Sequence, residues 1–357
     1  MGVAFTGTMH QATLLRLAMH DIQVGVQLDG SLLDYLNSHG YSGHVLWDQF
    51  SLVDSTILHM VSQYSYGFFG GGTRLSILGT KIDDSVVSIH GHISRFWQLD
   101  NGVISNNTLS NQGPDNAVIK MHGPTWVNST TPPSGIGSYG YTEKIVVSDN
   151  SLMGAGTWSV NTGPQNGTSD ERLRDIILER NWFSATLGVA AHLVINAADV
   201  TVRNNIFDMS NASIGDRCIK VEKRGIGSIE PPPLRVSVLN NTFYSSTSSG
   251  ITGVAIDAYA TDTIVINNLG YAPAAASPAL LSDAGSTGLV ASNNSSNAQV
   301  KNTAPNFAAT LPLVPAHFKP IAGSYAIGSG TAVPVSPGPD FFLVPQLGTQ
   351  DIGAVRH

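Results

Sequence analysis

The sequence predicts an all-β chain wound as one long repetitive solenoid, although 357 residues would equally accommodate two compact domains. Three observations lead there. A short phrase built on a polar pair recurs along the chain. The segments between copies are short β-branched or alternating runs broken by Gly, Asn, Ser and Asp, and no amphipathic helical pattern separates them. Composition agrees, because 12% charged residues against 37 glycines suits strands and tight turns better than helices.

The recurring phrase reads VISNNTL, VVSDNSL, ILERNWF, VRNNIF, VLNNTF, VINNLG and ASNNSS. Its last polar residue falls at Asn107, Asn150, Asn181, Asn205, Asn241, Asn268 and Asn294, at intervals of 43, 31, 24, 36, 27 and 26 residues. Weaker copies are expected near His20, Asp48 and Thr80, giving about ten units on a base period near 25 with insertions in some turns. Asn suits such bends because it tolerates left-handed backbone and bonds locally, and stacked copies can also pair with one another. The repeat resembles the right-handed parallel β-helix family, the pectate-lyase-like superfamily, in which xNNxF marks one corner of each coil. That resemblance spans roughly residues 15 to 300 and implies about ten rungs of short strands, each touching only its neighbours.

A helix of this kind is expected over residues 1–305, with 306–357 as an extended capping segment packed on it in a single structural domain. FKPIAGSYAIGSG, PDFF and GTQDIGAVRH are similar to the C-terminal closure of bacterial secreted β-helix proteins, with Tyr325 where proline is usual. Met1 opens abruptly in repeat-like sequence with no basic start and apolar core, so a preceding segment and a secreted or cell-surface parent protein are expected. No stretch approaches a membrane span. A net charge of −7 argues against nucleic acid as a partner. The lone Cys218 allows no intrachain disulfide and sits in apolar RCIKV as a core residue.

Aligning the strand after each anchor gives an outward column of Gln98, Lys120, Asn161, Asn196, Lys220 and Asp257. His122 and Glu222 follow two residues on, and His90, His92 and Arg95 enter one rung before Lys120. His92, Arg95, Lys120 and His122 are thus expected to converge as the catalytic group, with Asn161, Asn196, Gln98, Lys220 and Glu222 along the substrate groove. Insertions after His122 and Lys220 would build its walls, and Trp126, Tyr139 and Tyr141 in the first are of the type that stacks on sugars. Structural roles stay open for each: a solvated Lys120, a strand end at His122, a turn at His92, stem packing of Arg95, a charged rim at Lys220 and Glu222.

Lysine, arginine and histidine together suit β-elimination beside a uronic acid, where a base takes the proton next to the carboxylate and cations neutralise the charge. AVIKMHG is similar to the ISIKS strand of the chondroitinase B and alginate lyase group, in which the lysine is the base. The likeness implies Lys120 as base, Arg95 as carboxylate neutraliser and His122 or His92 as proton donor or acceptor. Met121 departs from the following Ser, and the later RHG motif has no counterpart. The expected partner is an acidic polysaccharide or oligosaccharide bound by a monomer. No cofactor is required, and room is left for a Ca2+ ion. Two other readings stay open: a glycoside hydrolase, for which the paired acids are poorly represented, and a non-catalytic binder of adhesin or tailspike type.

Overall fold

The computed structural model describes residues 2–5, 10–28, 47–60, 66–84, 92–111, 117–123, 141–163, 171–211, 216–223, 231–248, 252–274, 279–295, 305–309, 312–346 and 348–357. Every strand pairing within the helix is parallel, and each joins segments one turn apart. Three faces result. The first runs from Val3–Phe5 through Val24–Leu28, Tyr66–Thr73, residues 94–96, Ala117–Met121, 158–162, 191–195, Arg217–Val221 and Thr252–Ile256 to Ala279–Asp283. The second runs from His10–Leu15 to Val290–Ser292, and the third from Ala18–Ile22 to Leu269–Tyr271. This is a parallel β-helix.

The corner between the second and third faces explains the repeat. Asn107 donates its amide N–H and its Nδ2 to the Oδ1 of Asn150 one rung on. The same double contact links Asn150 to Asn181, Asn181 to Asn205, Asn205 to Asn241, Asn241 to Asn268 and Asn268 to Asn294, at 2.9–3.2 Å. Each Nδ2 also bonds a strand carbonyl, from Ile77 O under Asn107 to Val265 O under Asn294. Asn107 through Asn268 are buried, so this ladder supplies partners that backbone turning inside the wall would otherwise lack. Upstream, Thr80 donates its amide to Asn107 and Ser55 donates to Thr80. The weak early copies therefore centre on Thr80 and Ser55. His20 lies exposed beside Asp21, and Asp48 pairs with Thr73 and Arg74 on another corner.

The two members of each polar pair do different work. The first residue is left-handed at every rung: Asn106, Asp149, Arg180, Asn204, Asn240, Asn267 and Asn293 have φ of 50–58°. Where it is asparagine in the last four rungs, it holds the C-terminal segment. Asn293 Nδ2 bonds Ser329 O, Asn267 pairs both ways with Thr331, and Asn204 Nδ2 bonds Pro337 O and Pro339 O. After the Pro339–Pro345 bridge the chain returns, with Gln346 on Asn204 and Asn240 and the Gly353 amide on Asn267 O. Phe318, Ala326, Ile352 and Ala354 then bury Ile206, Tyr244 and Leu269 on the third face. The described part of this segment thus lies along the flank of the helix.

Inside, aromatic rings stack along the axis, as with Phe183 and Phe207, whose centroids are 4.4 Å apart at 8°. One interior level is polar. Consecutive rungs place Ser159, His192 and Cys218 in sequence, all fully buried. His192 Nε2–H donates to Asp208 O at 3.0 Å, leaving Nδ1 to accept from the Ser159 hydroxyl at 2.9 Å. Burial pushes the His192 pKa from 6.5 down to about 4, against the opposing pull of the Asp208 carbonyl. Burial also raises the Cys218 thiol well above its ordinary range, so it stays protonated as a core group.

Two outcomes are expected. Asn205→Ala orphans the Asn181 amide, Asn181 Nδ2 and Leu178 O, costing about 3 kcal/mol or more in chemical denaturation. Asn106→Gly, exposed and already left-handed, should change stability by about 0.5 kcal/mol or less; equal costs would refute the division of labour within the pair. For His192 the unfolded state binds the proton more tightly, so its contribution is whole above pH 6.5 and is lost as pH falls toward 4, about 3 kcal/mol in all. Denaturation midpoints of wild type and His192→Met between pH 7 and 4 should diverge over that window; parallel curves would show that the ring titrates normally.

Candidate functional site

Strands of the first face do not alternate strictly. In Val24–Leu28, Arg217–Val221 and Thr252–Ile256 the order is outward, two inward, outward, inward, so the wall bends in mid-strand. Register then fixes the outward column as Gln27, Phe69, Arg95, Lys120, Asn161, Val194, Lys220, Ala255 and Ser282. Arg95, not Gln98, is the neighbour of Lys120, and Val194 and Ala255 stand where Asn196 and Asp257 were expected. Lys220 lies three rungs from Lys120, roughly 14 Å, not four. The expectation slipped because it assumed period-two alternation and even turns.

Lys120 is 3% exposed. Its Nζ donates to Asn161 Oδ1 at 2.8 Å and to Gly163 O on the same neighbouring rung. Asn161 Nδ2 is buried and has no hydrogen-bond partner among the described residues. On the other side, Arg95 Nε–H donates to His122 Nε2 at 3.2 Å and Arg95 Nη1–H to the Tyr66 hydroxyl oxygen at 3.3 Å. Guanidinium nitrogens only donate, so His122 Nε2 carries a lone pair and the proton sits on Nδ1. That Nδ1–H meets Glu171 Oε2 at 3.0 Å, with both side chains buried. Thr142 Oγ1 caps the His122 carbonyl, and the Gly123 amide also points at Glu171 Oε2.

His92, 8% exposed, accepts the Ala117 amide on Nδ1 at 3.0 Å, which places its proton on Nε2. Burial first, and then the charges of Arg95 and Lys120, hold its pKa well below the ordinary histidine value. It is a neutral donor. His92, Arg95, Lys120 and His122 are therefore brought together, and Asn161 joins them. Tyr66, Glu171, Thr142 and Gly163 complete the cluster without having been singled out in the sequence.

The remaining candidates lie elsewhere. Lys220 and Glu222 pair at 2.6 Å, each about a quarter exposed. Asp257 spends Oδ1 on its own turn, accepting the amides of Tyr259 and Ala260, and Oδ2 on the Lys223 amide of the preceding rung. Asn196 is buried and outside the column. Tyr141 lies under Arg174, whose Cζ is 3.9 Å from the ring centroid. Trp126, Tyr139, His90 and the Gln98 side chain lie outside the described residues. Among the described residues no three His, Cys, Asp or Glu side chains cluster as a metal site would require, and no helix is long and apolar enough to cross a membrane.

No family model matches the chain, and no curated protein matches it. Among solved structures, the crystal structure of pectate lyase Pel9A is similar over 100% of this chain and 83% of that one, at a TM-score of 0.50 and 12% identity. At that identity the likeness speaks for the fold, and it agrees with the strand pairing in identifying a parallel β-helix.

Burial separates the His122–Glu171 contact from the Lys220–Glu222 pair energetically. Glu171→Ala strands His122 Nδ1–H in the wall and should cost about 3 kcal/mol or more in denaturant. Lys220→Ala breaks a partly solvated pair and should cost about 1 kcal/mol or less. A similar small loss at both positions would mean that Glu171 is not the anchor of His122.

Proposed function

We propose that the chain is a polysaccharide lyase that cleaves a uronic-acid-containing polymer by β-elimination. The observation that carries the reading is the placement of Lys120 in register beside Arg95, on the outward column of a β-helix, with His92 kept neutral next to them. In this reading Arg95 neutralises the uronate carboxylate, and Lys120 takes the proton from the adjacent carbon. Burial and a neighbouring cation are the conditions that favour an amine over an ammonium. Asn161 Nδ2, a buried donor without an acceptor among the described residues, would bond a sugar oxygen. His122 serves as a positioning group, since Glu171 and Arg95 occupy its two nitrogens. A polymer of this kind is met outside the cell, which places the parent protein in the secreted or cell-surface class.

One observation favours a second reading. The two oxygens on Lys120 Nζ, from Asn161 and Gly163, suit a lysine that remains an ammonium and only binds carboxylates. A binder of acidic polysaccharide would need nothing more. A hydrolase is disfavoured, because Asp257 is committed to a turn and Glu222 to Lys220.

Incubation with alginate, pectate, hyaluronan and chondroitin sulfates, followed by ultraviolet absorbance of unsaturated uronides, separates these readings. The lyase reading expects absorbance with at least one polymer, and a loss of about 10²-fold or more in Lys120→Ala. Binding without absorbance supports the second reading, and reducing ends without absorbance would indicate hydrolysis.

A further inference from the structure

We propose that Tyr66 is the proton donor of this site, delivering its phenolic proton to the departing sugar oxygen. The assignment rests on the lyase reading and adds to it a residue and a role. Elimination needs a second proton-transfer group besides Lys120, and neither histidine is placed to act as one. His92 Nδ1 is taken by the Ala117 amide, and the ring is neutral, so its Nε2–H can bond but not acidify. His122 has Nδ1–H on Glu171 and Nε2 under Arg95 Nε–H, and its side chain is fully buried.

Tyr66 is held differently. It opens the strand Tyr66–Thr73, one rung before Arg95, and is only half-buried. Its ring lies 4.9 Å from that of Phe69 and 6.5 Å from that of His92, so it borders the same patch. Its oxygen accepts Arg95 Nη1–H at 3.3 Å. A guanidinium cannot accept, so this contact leaves the phenolic hydrogen unused. The line of contacts therefore has a direction: Glu171 fixes the His122 tautomer, His122 fixes Arg95 Nε, and Arg95 Nη1 fixes the Tyr66 oxygen. The same guanidinium then stabilises the phenolate once the proton has gone.

The step balances. Lys120 Nζ takes the proton on the carbon next to the uronate carboxyl, and that electron pair forms the carbon–carbon double bond. The bond from the next carbon to the bridging oxygen breaks, and the Tyr66 proton passes to that oxygen. The Lys120 ammonium then returns a proton to the Tyr66 phenolate through water, restoring both groups. No oxidant, reductant or further reactant is consumed.

Tyr66→Phe tests this while keeping the ring, with thermal unfolding to confirm an intact fold. Wild type and variant are compared on the four polymers above and on a uronate carrying fluoride at the eliminated carbon, a leaving group that needs no proton. The expected result is a kcat lower by about 10²-fold or more on polymer, with KM and fluoride elimination changed by about threefold or less. A variant that keeps polymer kcat, or loses polymer and fluoride elimination equally, overturns the assignment and leaves the lyase reading standing. Wild-type protein that yields no unsaturated product from any polymer overturns the lyase reading, and this assignment with it.

Discussion

The asparagine ladder is the constraint from which the rest of the molecule follows. Each amide side chain satisfies two donors of the rung before it and one carbonyl, all within the wall. From Asn107 onward only an asparagine makes all three bonds, so the chain must return to the same corner at every turn. The intervals between ladder residues nonetheless range from 24 to 43 residues. Length variation is therefore expelled to the other two corners. The residues that follow His122 and Gly163 are such places, and the candidate site lies where both leave the first face. A fixed corner on one side is what permits turns of unequal length on the other.

The same corner has an outer surface, and its chemistry changes along the helix. Arg16, Asp54, Gly79, Asn106, Asp149 and Arg180 occupy the left-handed position in the early rungs, and asparagine occupies it in the last four. An outward asparagine offers a donor and an acceptor to a passing backbone, as Asn267 does with Thr331. The C-terminal segment needs this because its prolines and extended run form few bonds of their own. It goes out along Asn293, Asn267 and Asn204 and returns past Asn240, so the last rungs are held from outside as well as by their neighbours.

The ladder and the fold class were legible in the sequence because they depend on a residue type repeated at every turn. The register was not. Two consecutive inward residues in the first-face strands break the alternation from which the outward column was counted, and the count slid from Arg95 to Gln98. Convergence of Lys120, His122, Arg95 and His92 survived the slip, since all four lie within one rung of each other. Glu171 and Tyr66 were hidden for a different reason. Their partners are 49 and 29 residues away, and neither belongs to a repeated pattern. Glu171 had one faint signal, a carboxylate closing an insertion in a chain with few charges.

Electrostatics gives the cluster its direction. A protein with a net charge of −7 repels a polyanion at long range, so a uronate polymer gains nothing from the overall field. Attraction must be local, and the outward column provides it by setting Arg95 and Lys120 on adjacent strands. Like charges so placed oppose each other, and the scaffold answers with the Glu171 carboxylate behind His122 and two neutral oxygens on Lys120. Among the described contacts the carboxylate meets His122, whose ring in turn meets Arg95. The depressed His92, held down first by burial and then by Arg95 and Lys120, adds no charge of its own to the patch. In the lyase reading, selectivity for acidic polymers would therefore come from these two adjacent cations and not from the net charge of the protein.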